Sequence, residues 1–114
     1  MGLNKAPQEG GGEMALIELS VNPLGTETPS LSHYVARAVD VIQEEKGIKY
    51  TVTPMGTIIE GDLPQLLALI PRMHEAVFEA GVKRVVTVIK IDDRRDKPTT
   101  MSGKMAALRR ELKR

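Results

Sequence analysis

The sequence contains no cysteine and no tryptophan, and its only aromatic residues are Tyr34, Tyr50 and Phe78. Without cysteine there can be no disulfide, no thiolate metal site and no cysteine nucleophile, which fits a reducing, cytoplasmic location. So few aromatic rings leave almost no stacking platform for single-stranded nucleic acid. Charge of one sign is missing as well: 16 basic against 15 acidic residues give a net charge of +1. That balance provides no field to draw in nucleic acid or an anionic membrane surface, and neither is expected as a partner. No apolar run approaches the roughly 20 residues needed to cross a bilayer, and the N-terminus has no apolar signal-peptide core. The two histidines, His33 and His74, stand in no metal-ligating spacing, so no metal and no cofactor is expected.

What is present suffices for one modest core: 114 residues, 41% hydrophobic and 27% charged. A domain this small buries a limited fraction of its surface, which favours self-association. Residues 1–13 include Pro7 and Gly10 to Gly12 and almost nothing to bury, and are expected to form a disordered tail. Residues 14–114 are expected to form a single domain.

From Ala15 to Val21 apolar residues fall at every second position, the period of a strand, which Pro23 and Gly25 then end. Ser30 to Lys46 spaces Leu31, Tyr34, Val35, Ala38, Val41 and Ile42 as one face of a helix, with Ser30 as N-cap and Gly47 as terminator. Lys49–Thr53 and Thr57–Glu60, parted by Pro54-Met55-Gly56, predict a hairpin. Asp62, Pro64 and Gln65 mark a helix start, with Gln65 reaching back to the cap; its apolar stripe is Leu63, Leu66, Leu67, Ile70, His74, Val77 and Phe78, closed by Gly81. Arg84–Ile91 is a β-branched strand. Met101, Met105, Leu108 and Leu112 then recur every three to four residues along a basic C-terminal helix.

The order β-α-β-β-α-β-α with right-handed crossovers predicts an α+β, ferredoxin-like sandwich: a four-stranded antiparallel sheet in order 4-1-3-2, two helices on one face, and the C-terminal helix added. The other face carries Glu18, Ser20, Thr51 and Thr53, yet the third and fourth strands are apolar on both sides (Ile58 and Ile59; Val88 and Ile89). A purely solvated face reads more polar than that, so a second subunit is expected against this face or an edge strand.

No Ser-His-Asp order, phosphate loop or dinucleotide fingerprint follows a strand. The near-copies Pro23-Leu24-Gly25-Thr26 and Pro54-Met55-Gly56-Thr57 are expected at the same end of adjacent strands, where exposed backbone and Thr hydroxyls can hydrogen-bond a ligand. His74, on the apolar stripe, reads first as a satisfied core histidine. Asp92, Asp93, Arg94, Arg95 and Asp96 read as a solvated turn or as intersubunit ion pairs.

The segments SVNPLGT (20–26), SHYVARAV (32–39), YTVTPMGTIIEGD (50–62) and GVKRVVTVIKIDDRRD (81–96) resemble a family of small thiamine-binding proteins, over about residues 14–100. The resemblance implies the ferredoxin-like fold, sheet-paired homodimers assembled into homotetramers, and binding of thiamine or its hydroxymethylpyrimidine moiety without an established reaction. It also implies a pocket at Ser20, Pro23, Thr26, Tyr50, Thr53, Met55, Thr57 and His74. Asn22 stands where the family's first motif carries an apolar residue. A cationic thiazolium asks for a carboxylate or an aromatic face, and Glu18 or Glu60 is the expected charge partner. Asp92, Asp93, Arg94 and Arg95 are expected to serve assembly. The function expected is a non-catalytic cytoplasmic binder; the alternatives are an oligomeric regulatory or scaffold protein without ligand, and a small enzyme using His74 as base.

Overall fold

The computed structural model describes residues 14–112; the expected N-terminal tail lies outside them. The elements are β1 (Met14–Leu24), α1 (Ser32–Ile42), β2 (Lys49–Thr53), β3 (Gly56–Asp62), α2 (Leu63–Phe78), β4 (Arg84–Asp92) and α3 (Met101–Glu111). The sheet is antiparallel throughout, in order β2-β3-β1-β4, the expected 4-1-3-2 read from the other edge. α1 and α2 pack on one face in the ferredoxin-like manner. No described helix is long and apolar enough to cross a membrane.

Residues directly opposite in antiparallel strands share a face. Ala15, Ile17, Leu19 and Val21 on β1 and Ile59 on β3 point at the helices and form the core with Ala38 and Ile42 of α1 and Leu66, Leu69, Ile70, Met73 and Val77 of α2. The open face is built from Leu16, Glu18, Ser20 and Asn22 on β1, Ile58 and Glu60 on β3, Thr51 and Thr53 on β2, and Val86, Val88 and Lys90 on β4.

Four local expectations are corrected. β1 runs on through Pro23 to Leu24. Its pairing with β3 ends at Leu19↔Thr57, so beyond that point one edge of β1 is unpaired and a missing N–H costs no ladder bond there. α1 starts later than Ser30 and ends before Lys46: its N-cap is Leu31, whose side chain has no acceptor to offer, while the Ser30 N–H donates to the Thr28 hydroxyl in the preceding turn. Glu44, Glu45 and Lys46 have nothing apolar to pack, and Gly47, at φ +84°, turns the chain into β2. Asp62 caps α2 by position only, and Gln65 donates instead to the Lys46 carbonyl at 2.8 Å, tying the α1–β2 connection to α2. The buried stripe of α2 includes Leu69 and Met73 rather than Leu67, which is exposed. Pro71 lies within this helix on its exposed side, where water can serve the carbonyl it leaves unbonded.

Candidate functional site

β1 outruns β3 at one end of the sheet, and the notch this leaves is roofed by the first turns of α1 and floored by the β2–β3 turn. The result is a cleft of about 320 Å³ lined by Leu19 to Asn22, by Leu31, Ser32, Val35 and Ala38, and by residues 53–57. Its shape depends on the turn. The Thr53 hydroxyl donates to the Gly56 carbonyl (2.9 Å) and accepts from the N–H groups of Met55 (3.2 Å) and Gly56 (3.1 Å). A threonine at this position thus closes the loop through its own side chain, as Ser and Thr do in turns. Gly56 passes so close to β1 that an added Cβ would lie 2.9 Å from the Leu19 carbonyl oxygen. Met55, 81% exposed, is left at the tip of the turn beside the cleft.

Asn22 fixes the opposite wall. Its Nδ2 donates to the Val86 carbonyl at 3.0 Å and lies 3.2 Å from the Ser20 hydroxyl oxygen. Asn22 is therefore held across the β1–β4 pair at the edge of the cleft. The lining as a whole carries hydroxyls, one carboxamide, backbone and aliphatic surface, and no charged side chain.

Of the residues expected to form a pocket, the structure gathers Ser20, Thr53, Met55 and Thr57 here. It separates the rest. Pro23 is buried in β1 opposite Val85. Thr26 lines a different cleft, of about 490 Å³, with Tyr34, Lys83 and Arg84, and its hydroxyl donates to the Thr28 carbonyl. Tyr50 is exposed on β2, opposite Ile59. His74 is held on the far side of the core, its Nδ1 2.6 Å from the Thr87 hydroxyl and its ring edge-on to Phe78 at 5.3 Å. His74→Ala should therefore lower stability by about 1–2 kcal/mol, the loss of one part-buried hydrogen bond and its ring contact, while leaving the cleft intact. Urea denaturation and ligand titration of the same variant check both halves.

The carboxylates expected to balance a cation are engaged elsewhere. Glu18 approaches Lys90 at 3.8 Å on the open face, and Glu60, buried, accepts the Met101 N–H at 2.8 Å. The charged turn pairs largely within itself: Asp92 with Lys104 (2.9 Å), Asp93 with Arg95 (2.7 Å) and Arg94 with Asp96. Hydrogen bonding to Arg95 holds the Asp93 carboxyl below its ordinary value, Arg94 does the same for Asp96, and Asp96 in return raises Arg94. Arg94 and Asp96 are exposed, and Asp93, though part-buried, faces the exposed Arg95, so solvent and salt screen these pairs. Among the described residues no group of three or more His, Asp or Glu side chains is placed to hold a metal ion.

The cleft also takes in Asn22, which the sequence marks only as a departure from the family's motif, and Ser32 and Val35, which were not among the residues expected to form a pocket. The last two stand on the first turn of α1, whose start is set by packing rather than by a visible cap.

A family model described as thiamine-binding protein matches residues 17–109. The UPF0045 protein YqgV of Bacillus subtilis is 48% identical over 102 residues, covering 87% of this chain and 98% of the relative. A UPF0045 protein of Methanothermobacter thermautotrophicus is 41% identical over 100 residues, covering 87% of this chain and 100% of the relative. The crystal structure of the hypothetical protein MJ1052 of Methanocaldococcus jannaschii superimposes with a TM-score of 0.77 at 36% identity, over 84% of this chain and 96% of that one.

Proposed function

The chain belongs to the thiamine-binding protein family, and from that premise we propose that it is a non-catalytic, homo-oligomeric binder of thiamine or its hydroxymethylpyrimidine moiety, acting in the cytoplasm. The observation that carries this reading is the uncharged cleft between α1 and the β2–β3 turn. Its volume sits at the lower end of the roughly 300–1,000 Å³ typical of small-molecule sites. That suits one heterocycle better than a whole coenzyme.

An aminopyrimidine is a flat, neutral ring with donors and acceptors on its edge. Hydroxyl, carboxamide and turn backbone groups can meet that edge, and Met55, Val35 and Leu31 supply apolar contact for its faces. A thiazolium cation has no carboxylate to meet in this lining, and a phosphate has no cation. The pyrimidine half is accordingly the part this cleft reads, and Glu18 or Glu60 enters only if a bound thiazolium reaches the open face.

Isothermal titration and thermal shift with thiamine, its phosphates and hydroxymethylpyrimidine test this. Hydroxymethylpyrimidine should bind within about tenfold of thiamine, or about 1.4 kcal/mol, and phosphorylation should add nothing. Ligand at a hundredfold excess over its dissociation constant stabilises by about 2.7 kcal/mol, a shift of several degrees. No saturable shift with any of them at millimolar concentration would reject the reading.

A further inference from the structure

β1 keeps only one of its two neighbours at the end that borders the cleft. Its pairing with β3 stops at Leu19↔Thr57, while its pairing with β4 runs on to Leu24↔Arg84. Along an antiparallel strand the N–H and C=O of one residue point to the same edge, and successive residues alternate between edges. Two contacts fix which residues face which way. An added Cβ on Gly56 would lie 2.9 Å from the Leu19 carbonyl oxygen, so Leu19 faces β3. Asn22 Nδ2 reaches both the Ser20 carbonyl (3.4 Å) and the Val86 carbonyl (3.0 Å), so Ser20 faces β4. Val21 therefore turns its N–H and C=O to the same edge as Leu19, into the cleft that Val21 helps to line. Pro23, next on that edge, has no N–H to offer.

Carried on by two residues, the β1–β3 register would set Met55 opposite Val21. The turn prevents it: the Met55 N–H donates instead to the Thr53 hydroxyl, as does that of Gly56. Among the described residues no turn or loop backbone group bonds to Val21. Val21 is only 6% exposed, and a backbone donor in such a place is costly to leave unmatched. Its N–H lies toward the closed end of the notch, where Leu19 meets Thr57, and its carbonyl toward the open end. Leu31 and Val35 of α1 lie above this edge, with Pro54 and Met55 of the turn below. What completes it must therefore be thin, uncharged and apolar on both faces. A planar heterocycle with a ring nitrogen next to an amino group has that form: the ring nitrogen accepts from the Val21 N–H, and the amino group donates to the Val21 carbonyl.

We propose that Val21 reads such a ring through its main chain, the ligand standing where β3 would otherwise continue. This rests on the pyrimidine reading above and names the atoms that recognise it: the 4-amino group of hydroxymethylpyrimidine and the ring nitrogen beside it meet the carbonyl and N–H of one residue. Selectivity then comes from the backbone, and the hydroxyls around the cleft only adjust it.

Hydrogen exchange and analogue titration test this. In the free protein the Val21 amide proton, followed by NMR, should exchange about tenfold or more faster than those of Leu19 and Asn22, which are held in the ladders. Saturating hydroxymethylpyrimidine should slow it by a similar factor and move its resonance downfield. By calorimetry, the analogue without the amino group and the analogue with an oxygen in its place should each bind about tenfold or more weakly, since each leaves a Val21 group unmatched or opposed. A Val21 amide as protected in the free protein as that of Asn22 would overturn the open edge. Hydroxymethylpyrimidine binding that leaves Val21 exchange unchanged, or analogues that bind as tightly, would keep the pyrimidine reading and overturn this mode of recognition. No binding of hydroxymethylpyrimidine or thiamine would reject both.

Discussion

Gly56→Ala should weaken the protein and its ligand binding together, by about 1–3 kcal/mol in stability and at least tenfold in affinity for hydroxymethylpyrimidine. The atom a methyl group would meet is the Leu19 backbone oxygen, at 2.9 Å. A flexible side chain could swing aside; a carbonyl in the middle of β1 cannot. Either β1 and β3 part at this point, or the turn slides. Both moves carry Thr53 and its three hydrogen bonds with them, and both reshape the floor of the cleft. Met55→Ala separates the site from the scaffold. Its side chain is almost wholly in solvent, so stability should stay within about 0.5 kcal/mol of native, yet the ring of a bound pyrimidine would lose a contact. Urea denaturation followed by calorimetric titration of both variants reads the two effects. If Gly56→Ala kept native stability and affinity, the close approach of β3 to β1 would not be shaping the site.

Why the fold was so legible, and the site only in part, comes down to which signals are local. β1 and β4 announce themselves by alternation and β-branching, the β2–β3 hairpin by Pro54-Met55-Gly56, and the order of elements then leaves little choice of topology. In α2 the run Leu63 to Ile70 is so nearly continuous in apolar residues that two neighbouring stripes satisfy a 3.6-residue period. Packing on α1 and the sheet chose the one through Leu69 and Met73. Thr53, Met55 and Thr57 were legible because turn chemistry placed them. Thr26 lies apart from them for a geometric reason: the two near-identical turns were expected side by side, but β1 extends to Leu24, past the start of β3 at Gly56, and carries its own turn into a separate cleft. His74 faces inward, as its place on the stripe implies, and meets the Thr87 hydroxyl away from the cleft beside the β2–β3 turn. That the segment after β4 returns to the open face had no sequence signal at all. It buries Leu16 and Thr99, although Leu16 is an outward-facing position of β1.

The carboxylate beneath that returning segment should be its anchor. Glu60 is only 2% exposed, on the open face beside Leu16, and its Oε1 takes the first N–H of α3 at 2.8 Å. A negative charge at a helix N-terminus is favoured by the helix dipole, and a hydrogen bond to a charged acceptor contributes more than a neutral one. Glu60→Ala would leave the Met101 N–H without its acceptor and open space beneath Thr99, at a cost of about 2–3 kcal/mol. Glu60→Gln keeps an acceptor oxygen of the same reach and loses only the charge, so it should recover about half of that. The Asp92–Lys104 pair, being exposed, cannot hold the helix by itself. In Glu60→Ala, amide exchange should therefore accelerate along residues 101–111 well before it does in β1 or α2, and trypsin should cut at Lys104, Arg109 and Arg110 ahead of any site in the sheet. Unchanged amide protection across α3 in Glu60→Ala would mean that the helix is held by the surface it lands on, and that the buried carboxylate serves only to fill its place in the sheet.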